Sequence, residues 1–245
     1  MKTKDNIRIF ESVNDLNQSF TSWIKSIISN KGNVTIALSG GSTPKRLFDY
    51  WANLPQGEID WSSVKFFWGD ERCVPPTHEE SNYKMTKDHL FDHVPVPEAN
   101  IFRIQGEIDP VAEAKRYSAI LEQELTIKEG VPSFDILMLG MGDDGHTASI
   151  FPHEMALWDS QENCVVATHP ESGQKRVSIT GKIINASQHV AFLVTGENKA
   201  DKVKEIFLEP EKSRETYPAA RVQPGSGSLI WYMDKGAAGK LPEEK

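Results

Sequence analysis

Residues 134–152 read FDILMLGMGDDGHTASIFP. The apolar stretch Ile136 to Leu139 ends abruptly in Gly140-Met141-Gly142-Asp143-Asp144-Gly145-His146. A short apolar run closed by glycine is the pattern of a buried parallel strand. The glycines let the chain turn sharply where a side chain would clash. His146, two residues after Asp144, is thereby expected at the carboxyl edge of a sheet, where open α/β sheets hold their ligands. The same residues match G-x-G-x-x-G after a strand, the dinucleotide signature, but the context argues against that reading. A dinucleotide loop needs a long helix behind its third glycine to hold the pyrophosphate, and Pro152 follows after only about two turns. Two successive aspartates would also face the pyrophosphate.

Outward from this run, strands are predicted at Val34 to Leu38, Val64 to Trp68, Arg176 to Thr180, His189 to Val194 and Leu229 to Tyr232. Apolar residues at helical spacing predict helices over 12–29, from Pro44 onward, over 82–91, 110–125 and 198–208. Residues 94–104 read as a proline-interrupted connection, and the polar tail from Lys235 is expected to fray. Strands alternating with helices imply an α/β fold with a mainly parallel sheet covered on both faces. No linker divides the chain, so a single domain over 1–245 is expected, with 75–132 as a helical cap over one end.

With 38% apolar and 25% charged residues, the 245-residue chain has the composition of a soluble globular protein. No apolar run approaches the length of a membrane span, and MKTKDNIRIFES lacks the apolar core of a signal peptide. Two cysteines, Cys73 and Cys164, without metal-ligand spacing, point to a reducing, cytoplasmic compartment. A formal charge of −8 argues against nucleic acid or an anionic membrane as partner. It leaves room for a small anion held by a local cluster of amides and arginines. A monomer or small homo-oligomer is expected.

Three further segments bear polar groups at predicted strand ends. After Leu38 comes Ser39-Gly40-Gly41-Ser42-Thr43-Pro44. Two glycines let the backbone curl so that several N–H groups face one concavity. Pro44 suits the first helical position and Ser42 or Thr43 the N-cap, so exposed amides, hydroxyls and a helix start together form a phosphate site. The Gly-Lys-Ser/Thr of a Walker loop is absent. After Trp68, Gly69-Asp70-Glu71-Arg72 places three charges at the same edge, where Arg72 can fork onto a phosphate or an oxyanion. Lys175 and Arg176 open a later strand, and Arg176 can complete an anion clamp. Residues 196–199 read as a turn and helix start without assigned chemistry.

Taken together, ALSGGSTP (37–44), WGDER (68–72), SNY (81–83), GMGDDGHTASIFP (140–152), KRVSIT (175–180), YPAARV and WYMDKGAA resemble the 6-phosphogluconolactonase family over about Val34 to Ala238. The resemblance implies a three-layer α/β/α sandwich shared with glucosamine-6-phosphate deaminase and ribose-5-phosphate isomerase. It also implies hydrolysis of 6-phospho-D-glucono-1,5-lactone without metal or organic cofactor. The implied partner is a small phosphorylated sugar lactone. On that reading His146 is the general base, oriented by Asp144 or Asp143. Arg72, Arg176 or amides near Gly142 stabilise the oxyanion. Ser39, Gly40, Gly41, Ser42 and Thr43 hold the phosphate, and Asp70 and Lys175 complete the binding set. The segment 173–175 departs from the family's proline-containing version, which leaves the role of Lys175 open.

The alternative within the same fold is glucosamine-6-phosphate deaminase or isomerase, whose pattern carries Asp-Glu-Tyr where Asp70-Glu71-Arg72 stands here. It also continues with Ala-Phe-Asn-Glu-Pro where this chain has Thr147 to Pro152. A non-catalytic sugar-phosphate sensor would need a DNA-binding helix-turn-helix, and the residues before Val34 are few and not basic. A serine esterase would need the G-x-S-x-G elbow, which is missing.

Overall fold

The computed structural model describes residues 6–242. In chain order the elements begin with β1 (Ile7–Phe10), α1 (Val13–Lys31), β2 (Val34–Leu38), α2 (Ser42–Ala52), β3 (Val64–Trp68), β4 (Asp70–Arg72) and α3 (Asn82–Thr86). Next come α4 (Pro110–Glu124), β5 (Thr126–Lys128), β6 (Val131–Ser133), β7 (Ile136–Leu139), β8 (Cys164–Thr168), β9 (Lys175–Ile179) and α5 (Gly181–Ala186). The chain ends with β10 (His189–Val194), α6 (Ala200–Leu208), α7 (Pro210–Thr216), α8 (Pro218–Arg221), β11 (Ser228–Asp234) and α9 (Lys235–Ala238).

Six strands form one parallel sheet in the order β1-β11-β10-β7-β2-β3. All four residues of β7 and five of the six in β10 are buried, which is why these strands read as unbroken apolar runs. Alternation sends Trp231 and Tyr232 to opposite faces. Phe20 of α1 meets the Tyr232 ring edge-on at 5.2 Å, while Phe207 of α6 meets Trp231 at 5.2 Å. The sheet is therefore the middle layer of an α/β/α sandwich.

The strand order reverses between β2 and β7. From β2 the chain steps outward to β3; from β7 it steps the other way to β10 and β11. The two strands pair only at Ile36–Ile136 and Ala37–Leu137, so their carboxyl ends diverge into a crevice, the place where doubly wound sheets bind ligands. A second sheet, β4-β9-β8, is antiparallel and stands beside that crevice.

The structure departs from the sequence-based expectations at several places. The first strand is the edge strand Ile7–Phe10, ahead of Val34. The helix after the Ser39 loop starts at Ser42 with Gly41 as its cap, so Pro44 is its third residue; a missing N–H is still harmless there. Residues 82–91 divide into an α-turn and a π-turn, Lys87–Phe91. The tail does not fray at Lys235: Asp234 caps α9 through the Ala237 amide at 2.8 Å, with Ala237 and Ala238 buried. Its last residues, 243–245, lie outside the described range. Residues 75–132 supply α3, the π-turn, α4 and the hairpin strand β5.

Candidate active site

The strand ends β2, β4, β7, β9 and β10 surround a cavity of about 280 Å³. Its walls include Ser39 to Pro44, Asp70, Arg72, Gly140 to Gly142, His146 and Arg176. Residues separated by more than a hundred positions thus meet at the crevice that the strand order dictates.

His146 is held from its own turn. Its Nδ1 lies 2.7 Å from Asp144 Oδ1, and the same oxygen accepts the His146 amide at 3.0 Å. The turn closes on itself through Gly142 N–H to the His146 carbonyl at 3.0 Å and Thr147 Oγ1 to the Gly140 carbonyl at 2.9 Å. A Cβ at Gly142 would come within 2.1 Å of His146 Nδ1, so only glycine leaves room for the couple. With Nδ1 engaged by Asp144, Nε2 is the ring nitrogen left for a ligand, and His146 lines the cavity. Phe151 backs the imidazole, with ring centroids 4.7 Å apart. Burial raises the Asp144 carboxyl, but the hydrogen bond and charge of His146 outweigh it and hold the group at about 2. Asp143 turns away to Asn198 at 2.8 Å and to the Lys199 ammonium. Of the two candidates for orienting His146, Asp144 is the one in contact.

The phosphate-loop candidates behave as a group. Gly41 adopts φ +107°, a conformation that favours glycine. The first backbone donors of α2 lack intrahelical partners by helix geometry, and Ser42 and Thr43 line the cavity. Gly40 packs directly on Asn82, whose Oδ1 would sit 2.0 Å from an added Cβ. Thr43 Oγ1 shares a hydrogen bond of 2.7 Å with Thr195 Oγ1, tying the loop to the end of β10.

Arg72 and Arg176 stand opposite each other on β4 and β9. Like charges in that position repel, and each guanidinium has a buried Nε with no hydrogen-bond partner among the described residues. Both features are those of a site that takes an anion. Arg72 Nη1 donates to the Glu80 carbonyl. Arg176 lies 5.7 Å over the Phe151 ring, on the His146 side of the cavity. Burial lowers its pKa, with neighbouring Asp70 acting in the other direction. Asp70 is 5% exposed and accepts the Ser149 hydroxyl at 2.6 Å, linking β4 to the turn after His146.

Two expected site residues are placed differently. Lys175 lies outside the cavity walls: strand alternation turns it away from Arg176, and its ammonium donates to Thr168 Oγ1 at 2.8 Å. Gly142 lines the cavity, but its amide is committed to the His146 carbonyl and is not free for an oxyanion. In turn, Asn82, Thr195, Asn198 and Lys199 line the cavity without having been assigned chemistry. Glu71, which the sequence offered beside Asp70 as a group to take a proton or hold an arginine, serves instead as a buried acceptor for its neighbours. It is 2% exposed and accepts from Ser81 Oγ and from the amides of Arg72, Asn82 and Tyr83, fixing Asn82 against Gly40. Burial pushes its carboxyl up, against those four hydrogen bonds.

A family model described as glucosamine-6-phosphate isomerases/6-phosphogluconolactonase matches residues 10–231. The chain belongs to this family. A curated relative named 6-phosphogluconolactonase from Haemophilus influenzae is 49% identical over 207 residues, covering 83% of this chain and 86% of that one. A solved structure described as devB protein superimposes with a TM-score of 0.92 at 41% identity, covering 97% of this chain and 99% of that one. The structure of 6-phosphogluconolactonase from Trypanosoma brucei matches with a TM-score of 0.83 at 28% identity, covering 97% and 98%. No described helix is long and apolar enough to cross a membrane.

Proposed function

We propose that the chain is a 6-phosphogluconolactonase, converting 6-phospho-D-glucono-1,5-lactone and water to 6-phospho-D-gluconate. The observation that carries this reading is the His146–Asp144 couple at the same cavity as the start of α2 and two arginines whose buried Nε atoms have no hydrogen-bond partner among the described residues. The relatives' names support the same activity.

In this reading the 6-phosphate sits on the Ser39–Thr43 amides and hydroxyls at the start of α2, with Lys199 nearby, and the ring extends toward His146. Nε2 of His146 takes a proton from water as the water oxygen bonds to C1 of the lactone. Asp144 fixes the tautomer and stabilises the imidazolium. The charge that develops on the carbonyl oxygen is met by Arg176 or Arg72. Collapse of the tetrahedral intermediate breaks the bond from C1 to the ring oxygen, which receives the proton from the imidazolium. The new acid then ionises to a carboxylate. None of these steps calls on a metal or organic cofactor.

Deaminase chemistry would call for a second acid near the ring oxygen. Among the described residues the cavity walls present one carboxylate, Asp70, and the residue after Thr147 is Ala148. The free thiols of Cys73 and Cys164 fit a reducing, cytoplasmic setting.

The test supplies 6-phosphogluconolactone, generated in place from glucose 6-phosphate by its dehydrogenase, and follows 6-phosphogluconate through the next dehydrogenase. A parallel reaction supplies glucosamine 6-phosphate. Acceleration of the first alone is expected; a lactone rate equal to spontaneous opening overturns the proposal.

A further inference from the structure

The His146 turn has an outer buttress that the reaction scheme leaves unused. Gly145, directly before His146, adopts φ +84°, and a Cβ there would lie 2.7 to 2.9 Å from Cδ1, Cγ and Cβ of Tyr217. The tyrosine ring and its root therefore press directly against the Gly145 backbone. The Ala219 amide donates to the Gly145 carbonyl at 3.1 Å, so backbone and ring grip the same residue. Tyr217 occupies the joint between α7 and α8. Pro218 disfavours helical geometry in the residue before it, and Tyr217 is extended, at φ −117° and ψ 122°.

The far end of the ring is fixed as firmly. Lys202 Nζ donates to the phenol oxygen at 2.9 Å and sits 4.2 Å above the ring centroid. The phenol donates to Glu205, one turn further along α6, and this hydrogen bond is the first cause holding the Glu205 carboxyl below its ordinary value. The same C-terminal unit reaches the turn a second time, through Asn198 and Lys199 to Asp143.

We infer that Tyr217 is a positioning residue for catalysis, pressing on Gly145 so that His146 and Asp144 keep their mutual geometry and their aim into the cavity. The inference rests on the reading that His146 takes the proton. Tyr217 is absent from the cavity walls, so it acts through the turn and not on the ligand. Two of the four residues Gly142 to Gly145 are glycines, and Tyr217 packs on the backbone of the second. A plain packing role would show in stability alone; a positioning role shows in kcat.

The experiment compares Tyr217→Ala, Tyr217→Leu, Tyr217→Phe and His146→Ala in the lactone assay, each at matched folded fraction from near-UV dichroism. Tyr217→Ala is expected to lower kcat about ten- to a hundred-fold, the scale of a small misplacement of a reacting group, with KM within about twofold. Tyr217→Phe keeps the ring on Gly145 and is expected to restore most of kcat. Low-field proton NMR should show the His146 Nδ1–H resonance in the parent and in Tyr217→Phe, and its loss or broadening in Tyr217→Ala. Tyr217→Leu, which fills the apolar space without a flat ring, takes the place of alanine should that variant not fold, with the same kinetic expectation. Parent kcat in the folded alanine or leucine variant, or an unchanged low-field resonance in it, overturns the inference. Undiminished turnover in His146→Ala would overturn instead the reading beneath it, so the two failures are told apart.

Discussion

At the scale of single residues the site depends on what is missing as much as on what is present. Gly142 lacks the Cβ that would displace His146 Nδ1, and Gly145 lacks the one that would meet Tyr217. Gly142→Ala is therefore expected to separate the imidazole from Asp144 and to reduce kcat at least tenfold, measured in the lactone assay beside a phosphogluconate-binding control that stays near parent. The two arginines invite a different test. Each buried Nε is without a hydrogen-bond partner among the described residues, and a hydrogen bond to a charged group contributes about 1.5–3 kcal/mol. Arg176→Lys, whose ammonium cannot reproduce the fork, should weaken 6-phosphogluconate binding about tenfold or more by calorimetry, and Arg72→Lys should impair binding or kcat. Unchanged affinity and turnover would make the arginine concerned a bystander. Asp144 sets a pH dependence whose sign follows from its depressed carboxyl, about 2 in the folded chain against an ordinary 3.8. Its contribution to stability is present above about pH 4 and is lost as pH falls toward 2. Urea midpoints measured from pH 5 to 2.5 should therefore fall less steeply in Asp144→Asn than in the parent. The effect is modest, because the Asp144 side chain is 40% exposed.

At the scale of elements, the strands that decide the fold were legible because burial of most of their residues on both faces favours apolar side chains. β2, β3, β7 and β10 all read as strands from their apolar runs. β1 and β8 were not, since one is a four-residue edge strand and the other is only partly buried. β4 was hidden for another reason. Asp70, Glu71 and Arg72 look like a charged turn, and they become a strand only because β9, a hundred residues later, pairs with them. The same distance effect concealed Asn198 and Lys199, whose meaning comes from Asp143 across the crevice. Lys175 and Arg176 are adjacent in sequence, but alternation along β9 separates them, and only Arg176 lines the cavity. Glu71 joins these elements. Glu71→Gln would turn an amide group toward the four donors that the carboxylate now satisfies, leaving at least one of them poorly met. A loss of about 1–3 kcal/mol in unfolding free energy is expected, together with a raised KM as Asn82 loosens against Gly40. An unchanged urea midpoint would show that the loop does not depend on it.

Over the whole molecule, one topological fact organises the rest: the chain reverses direction across the sheet between β2 and β7, and both glycine-rich loops leave from that point. On the proposed reading the phosphate loop binds the anion and His146 acts as the base, so binding and chemistry should be separable. Ligand present at a hundred times its Kd adds about 2.7 kcal/mol to the folded state, and 6-phosphogluconate should accordingly raise the Tm. Away from the crevice the core is closed. Burial pushes the Cys164 thiol up to about 12, so a thiol reagent at pH 8 should leave Cys164 unmodified until the chain unfolds. The most direct measurement is the rate of 6-phosphogluconolactone hydrolysis by the parent and by His146→Ala, with 6-phosphogluconate binding measured on the same preparations. His146→Ala is expected to lose about a hundred- to ten-thousand-fold of the catalysed rate while still binding the phosphorylated product. A variant that hydrolyses the lactone at the parent rate would contradict that expectation.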